Sequence, residues 1–124
     1  MDLAPRRCAD TVILAPAGRI DHATSEAFQH ALQPFVERCA AGQDHLVLDL
    51  AGLEYISSAG LRVLMLARKQ AKAQGGTLAV AALQPVVKEI FEISRFTVIF
   101  DLYASVREAL ARISPPALAA FDAA

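Results

Sequence analysis

The sequence has no tryptophan, only two cysteines and three histidines, and no long uninterrupted apolar run. Each shortage closes off a class of protein. Cys8 and Cys39 are too few and too far apart for a metal knuckle or a disulfide scaffold, and they read as free thiols of a reducing cytoplasm. His22, His30 and His45 form no H-E-x-x-H pair, and no phosphate loop or dinucleotide fingerprint accompanies them, so neither metal nor cofactor is expected. Charge interrupts every apolar stretch before the roughly 20 residues a membrane span requires. Arg6 and Arg7 are followed by no signal-peptide core. A cytoplasmic chain without membrane insertion is therefore expected. The formal net charge of −1 leaves no basic footprint for nucleic acid.

What is present is apolar and periodic. Hydrophobic residues make up 55% of 124 residues and charged residues 20%, enough to bury one core without staples. Thr11 to Ala17 reads as a strand, with a weaker edge strand around Leu3 to Ala9 because of Pro5. Thr24 or Ser25 can cap a helix carrying Phe28, Ala31, Leu32, Phe35 and Val36, in which Pro34 predicts a kink or a break. His45 to Leu50 is a buried strand, and a helix runs from about Ser58 to Ala73 before Gly75-Gly76. Thr77 to Ala81 is a strand, Pro85 opens a helix, and Thr97 to Phe100 is a further strand. Ser105 to Glu108 fits a capping box at the start of the next helix. Pro115-Pro116 ends that helix and leaves residues 115–124 as a flexible tail to a single domain over residues 1–114. Strands alternating with helices predict an α/β fold with a mostly parallel sheet of four to five strands and about four helices.

The segment from Leu46 to Leu61 is the most informative. It reads as a strand, a short connection, and then Ser57-Ser58 at the start of an amphipathic helix. A helix start carries unsatisfied N–H groups and the positive end of the peptide dipole, so a serine there either caps the helix or offers a place for a phosphate. At 100° per residue, Val63, Leu64, Ala67 and Ala71 share one inward arc. Arg62 and Lys69 point away from it, flanked by Met65 and Leu66. That outward face is either packing against neighbouring loops or a partner-docking surface.

Catalysis is harder to support. Ser57-Ser58-Ala59-Gly60 is not a G-x-S-x-G elbow, and the three histidines are the only imidazole bases. Asp49 lacks the paired acidic residues of a phospho-accepting receiver and reads as structural. No enzyme activity is expected.

Three segments together resemble the STAS domain family of anti-sigma factor antagonists. Gly18-Arg19-Ile20-Asp21 with Ala23-Thr24 is similar to the signature G-x-L-D-x-x-T. Leu48-Asp49-Leu50 through Ser58-Ala59-Gly60-Leu61 is similar to LDLxxVxxIDSSGL. Gly75-Gly76 and Val86 to Phe96 match the continuation GGxLxLxxxxPxVxxxLxxxGL, and the likeness spans about residue 10 to residue 112. The resemblance implies a bacterial signal-transduction protein that regulates transcription by partner switching. An anti-sigma factor that is also a serine kinase would phosphorylate Ser58, with Ser57 a second candidate. A PP2C-type phosphatase would reset it. Asp21 would help engage the kinase, and Arg62, at a position variable in the family, would tune partner choice. The outward face read from the helical period, with Arg62, Met65, Leu66 and Lys69, is the expected docking surface. Ser57 occupies the place of the signature aspartate. The alternatives are a STAS subunit or scaffold not controlled by phosphorylation, as in a lipid-transport complex, or a small hydrolase or nucleotide-binding domain.

Overall fold

Alternation of apolar residues to both sides of each central strand organises the molecule. The computed structural model describes all 124 residues. In chain order the elements are β1 (Arg6–Cys8), β2 (Thr11–Leu14), β3 (Gly18–Ile20), α1 (Ser25–Glu37), β4 (His45–Asp49), β5 (Leu53–Ile56) and α2 (Ser58–Ala73). They continue with β6 (Leu78–Ala81), α3 (Pro85–Ile93), a 3-10 turn (Phe96–Val98), β7 (Asp101–Tyr103), α4 (Val106–Ile113) and α5 (Pro115–Ala123). The main sheet has the order β1-β2-β4-β6-β7 and is parallel except at the β1–β2 edge pair.

Side chains leave each strand alternately to its two faces. Val12, Leu14, Leu46, Leu48, Leu78 and Val80 enter the larger core with the buried stripes of α1, α2 and α3. Ile13, Val47 and Ala81 enter a smaller core with Ala109 and Leu110 of α4 and Ala117 of α5. A strand covered on both faces has no polar alternation to show, which is why these runs are almost wholly apolar.

The architecture agrees with the α/β, mostly parallel expectation, and four local expectations give way. First, β3 and β5 form a separate two-stranded parallel sheet that the sequence pattern did not reveal. At three and four residues they are too short to display a period. Second, α1 runs unbroken through Pro34. The proline lies in the last turn, so it removes one hydrogen bond where the helix is already ending.

Third, residues 97–100 are not a strand. Phe96 to Val98 forms a 3-10 turn and the strand begins at Asp101. The turn brings Phe96 and Phe100 to the same side, both buried against Phe91, whereas Val98 is 83% exposed. Fourth, the tail is helical. Pro115 and Pro116 occupy the opening positions of α5, where a missing N–H is no loss. Ser114 caps it by accepting from the Ala117 N–H at 3.2 Å and itself donates to Asp10 Oδ1 at 2.6 Å. The chain therefore has five helices.

Candidate functional site

The small β3–β5 sheet exists to set two loop residues side by side. Ile20 lies opposite Ile56 in the parallel register, and both are buried. The next residue along each strand is Asp21 and Ser57 respectively. The Ser57 N–H donates to the Ile20 carbonyl at 2.8 Å, which fixes the α2 start against the end of β3.

Ser57 and Ser58 then part company. Ser57 is the N-cap of α2, with extended backbone (φ −84°, ψ 172°), and its Oγ accepts from the Gly60 N–H at 3.3 Å. It is only 6% exposed. Ser58 is the first helical residue and faces solvent. The α2 first turn contains no acidic side chain, so the positive end of its dipole is not neutralised from within. Negative charge there is favoured by roughly 0.3–1 kcal/mol at an exposed position.

Gly60 explains how the helix sits so low. A Cβ at this position would stand 2.7 Å from both Ile20 Cγ2 and Ile56 Cγ1. Real Cβ atoms do not approach so closely, so the glycine lets the first turn rest directly on the β3–β5 pair.

Asp21 is a fixed acceptor. Its Oδ1 takes hydrogen bonds from the Ala23 N–H at 3.0 Å and the Thr24 N–H at 3.2 Å, while the Asp21 N–H donates to Thr24 Oγ1 at 2.9 Å. Thr24 thus spends its hydroxyl on this turn and makes no side-chain cap for α1. Partial desolvation pushes the Asp21 pKa up. Hydrogen bonds from the Thr24 side chain and the two N–H groups, with the nearby Arg19 charge, outweigh it and hold the pKa below 3.8. Arg19 is itself seated over the Tyr55 ring, 4.4 Å from its centroid, across β3–β5.

The inward arc of α2 is as expected, with Val63, Leu64, Ala67 and Ala71 buried and Leu61 joining them. Arg62 and Lys69 are exposed, Leu66 is 45% exposed, and Met65 is half-buried against the core. Ser58, Arg62, Met65 and Leu66 together line a shallow depression of about 460 Å³ whose far wall is Ser94 and Phe96. Lys69 is not part of that lining. On the other side of Arg62 and Leu66, a second depression of about 360 Å³ separates α2 from Glu26, Gln29 and His30 of α1. Sequence reading missed the wall supplied by Ser94 and Phe96, because residues 97–100 read as a strand and not as the continuation of a turn.

The remaining candidates play local roles. Asp49 Oδ1 accepts from the Ala51 N–H at 3.1 Å and shapes the β4–β5 connection. His45 Nε2 faces Asp10 at 3.6 Å, in a cluster with the Ser114 hydroxyl.

Comparison with known proteins agrees with this fold. A model of the STAS domain family matches residues 4–109. The chain is 39% identical over 118 residues to a protein named as the anti-sigma factor antagonist BtrV of Bordetella bronchiseptica, covering 95% of this chain and 98% of that one. It is 28% identical over 102 residues to the anti-sigma F factor antagonist of Paenibacillus polymyxa, covering 82% and 86%. Among solved structures, an anti-sigma-factor antagonist (STAS) domain protein of Planctomyces limnophilus superposes with a TM-score of 0.80 at 20% identity, covering 91% of this chain and 98% of that one. The Bacillus cell fate determinant SpoIIAA in its phosphorylated form superposes with a TM-score of 0.64 at 17% identity, covering 88% and 96%. Fold and site thus define a small α/β domain with a serine pair at the start of α2. The chain belongs to the STAS domain family, and two of its bacterial relatives are named as anti-sigma factor antagonists.

Proposed function

We propose that this chain is an anti-sigma factor antagonist working in the cytoplasm as a phosphorylation-controlled binding switch, without catalytic activity of its own. Unphosphorylated, it binds an anti-sigma factor that is also a serine kinase, and sigma factor is released. Transfer of phosphate to Ser58 ends the complex, and a PP2C-type phosphatase restores it. The observation that carries the reading is the division of labour between the two serines. Ser57 is turned inward as the cap, and Ser58 faces outward at the helix start beside Arg62, Met65 and Leu66.

The chemistry suits a switch. A phosphoserine brings about −1.5 to −2 charges and three acceptor oxygens to one point. At the α2 N-terminus these meet favourable N–H groups, so the domain keeps its fold. A partner packed over a neutral hydroxyl would instead meet a hydrated dianion close to the fixed Asp21 carboxylate. Desolvated charge contacts at interfaces are worth several kcal/mol, enough to dissolve a micromolar complex.

Titration calorimetry with the purified anti-sigma factor kinase of the same organism tests the proposal. Ser58→Ala is expected to bind as the unmodified protein does, and Ser58→Asp to bind far more weakly at unchanged melting temperature. Equal affinity for the two variants would defeat the reading. Ser57 in place of the family aspartate favours a second reading, a constitutive STAS subunit or scaffold. Under it, both variants bind the physiological partner alike and no kinase modifies the chain.

A further inference from the structure

Three adjacent parallel strands, β2, β4 and β6, end at a cavity on the face of the main sheet that α4 and α5 cover, across the sheet from α2. Asp49 is the last residue of β4, and Ala15 and Ala82 directly follow β2 and β6. All three line this space of about 390 Å³. Ile13 of β2, Val106 of α4 and Phe121 of α5 give it apolar walls. The crevice outside the carboxyl ends of strands is where open α/β sheets hold their ligands, and the volume falls in the range of small-molecule sites.

The polar groups of this cavity are unspent. Asp49 Oδ1 accepts from the Ala51 N–H, and Oδ2 accepts from no donor of the protein. Arg6 lines the same space, its guanidinium carbon 4.7 Å from the centroid of the Phe121 ring. A carboxylate and a guanidinium sharing one apolar cavity are expected to pair with each other, yet neither belongs to any ion pair of the structure. The Ser105 hydroxyl, also in the lining, accepts from the Glu108 N–H at 3.1 Å and donates to nothing. Backbone strain gathers here as well. Two of the four non-glycine residues at positive φ, Ala4 (φ 46°) and Ala82 (φ 62°), line this cavity. Alanine is disfavoured in that region, and such strain is characteristic of ligand sites.

We propose that this cavity binds a free α-amino acid with an apolar side chain. The ligand's ammonium meets the Asp49 carboxylate, and its own carboxylate meets the Arg6 guanidinium and the Ser105 hydroxyl. Its side chain lies among Ile13, Val106 and Phe121. A zwitterion satisfies both separated charges at once. A simple anion would leave Asp49 uncompensated in an apolar setting, and a simple cation would do the same to Arg6. The planar fork of arginine matches a carboxylate, which fixes the direction in which the ligand lies. The site uses none of the residues around Ser58 and stands or falls apart from the switch reading.

Backbone amide NMR of the full chain, titrated with L-phenylalanine and with L-leucine, tests the proposal. Saturable shifts are expected at Ala15, Asp49, Ala82 and Ser105, and none at Ser58. Phenethylamine, which lacks the carboxylate, and phenylpropionate, which lacks the ammonium, are each expected to bind at least roughly ten-fold more weakly than phenylalanine. Arg6→Gln and Asp49→Asn are expected to weaken phenylalanine binding by a similar factor. Asp49→Asn can also loosen the turn at Ala51, so Arg6→Gln, at an exposed position, is the deciding variant. Absence of saturable shifts with both amino acids, shifts centred away from this cavity, or equal affinity for phenylalanine and either of its one-charge analogues would overturn the proposal.

Discussion

The Ser57 N–H donates to the Ile20 carbonyl at 2.8 Å, joining the start of α2 to the end of β3, two segments far apart in the sequence. This one bond makes a single site of two segments that are remote in sequence. It delivers Asp21 and the serine pair to the same edge, and it orients the helix so that one serine is enclosed and the other free.

That enclosure has a measurable consequence. Ser57→Ala removes the acceptor for the Gly60 N–H and is expected to destabilise the fold by about 1 kcal/mol in urea denaturation. Ser58→Ala, at an exposed position with no cap to lose, is expected to stay within roughly 0.5 kcal/mol. Ser57→Asp restores a capping side chain and is expected to retain most of the stability. Equal losses for the two alanine variants would show that the serines share the capping role.

Gly60 sets helix propensity against packing. Alanine is favoured over glycine in a helix interior by roughly 1 kcal/mol. Its Cβ, however, would enter the space held by Ile20 and Ile56, 2.7 Å from each. Overpacking of this kind costs about 1–3 kcal/mol, and the site is closed by a sheet on which the helix rests directly. Packing is expected to win, so Gly60→Ala lowers the denaturation midpoint. A raised midpoint would mean that the first turn lifts freely from β3–β5.

The outward face of α2 separates stability from binding. Leu64 is buried, and Leu64→Ala is expected to cost roughly 2–5 kcal/mol of stability. Leu66 is 45% exposed, so Leu66→Ala is expected to change stability far less while weakening partner affinity. A loss on the order of 1–2 kcal/mol in affinity is typical of an interface residue of this kind. Met65 is packed against the core on one side, and Met65→Ala is expected to affect both quantities. Leu66→Ala destabilising the fold as much as Leu64→Ala, with affinity intact, would place the docking face elsewhere.

Much of this was legible in the chain, and the failures have physical causes. The burial stripe of α2 follows from its 3.6-residue period, and the short apolar cores of β4 and β6 announce strands covered on both faces. The β3–β5 pair was hidden because Gly18–Ile20 and Leu53–Ile56 are too short to carry a pattern. In residues 97–100 β-branched composition pointed to a strand, whereas three phenylalanines closing on one another required a turn. Pro115-Pro116 suggested only an ending, because proline stops one helix as readily as it starts the next. The candidate site was marked in the sequence by its serine pair at a helix start and, through the family resemblance, by Asp21. Which serine faces out depends on a hydrogen bond from Gly60 that no spacing rule supplies.

Acid stability gives an independent check on the opposite end of the sheet. Two hydrogen bonds of 3.0 Å from the Arg7 guanidinium hold the Asp44 carboxyl below its ordinary 3.8. The Ser114 hydroxyl does the same for Asp10, against a smaller opposing effect of burial. A carboxyl whose pKa is depressed on folding stabilises the native state above its unfolded value, and that contribution is lost as pH falls through the folded one. Melting temperature is therefore expected to fall as pH drops below 3.8, and to fall less steeply in Asp44→Asn, whose stability at neutral pH starts lower. Parallel acid limbs for the two proteins would show that Asp44 is not held in its charged form.

The most direct measurement is to incubate the protein with its anti-sigma factor kinase and ATP, map the phosphate by mass spectrometry, and titrate the purified product against the same kinase. The account predicts one phosphate per chain, on Ser58, absent in Ser58→Ala and retained in Ser57→Ala, with a product that no longer binds. Phosphate confined to Ser57, or a Ser58-phosphorylated protein that binds as tightly as before, would contradict it.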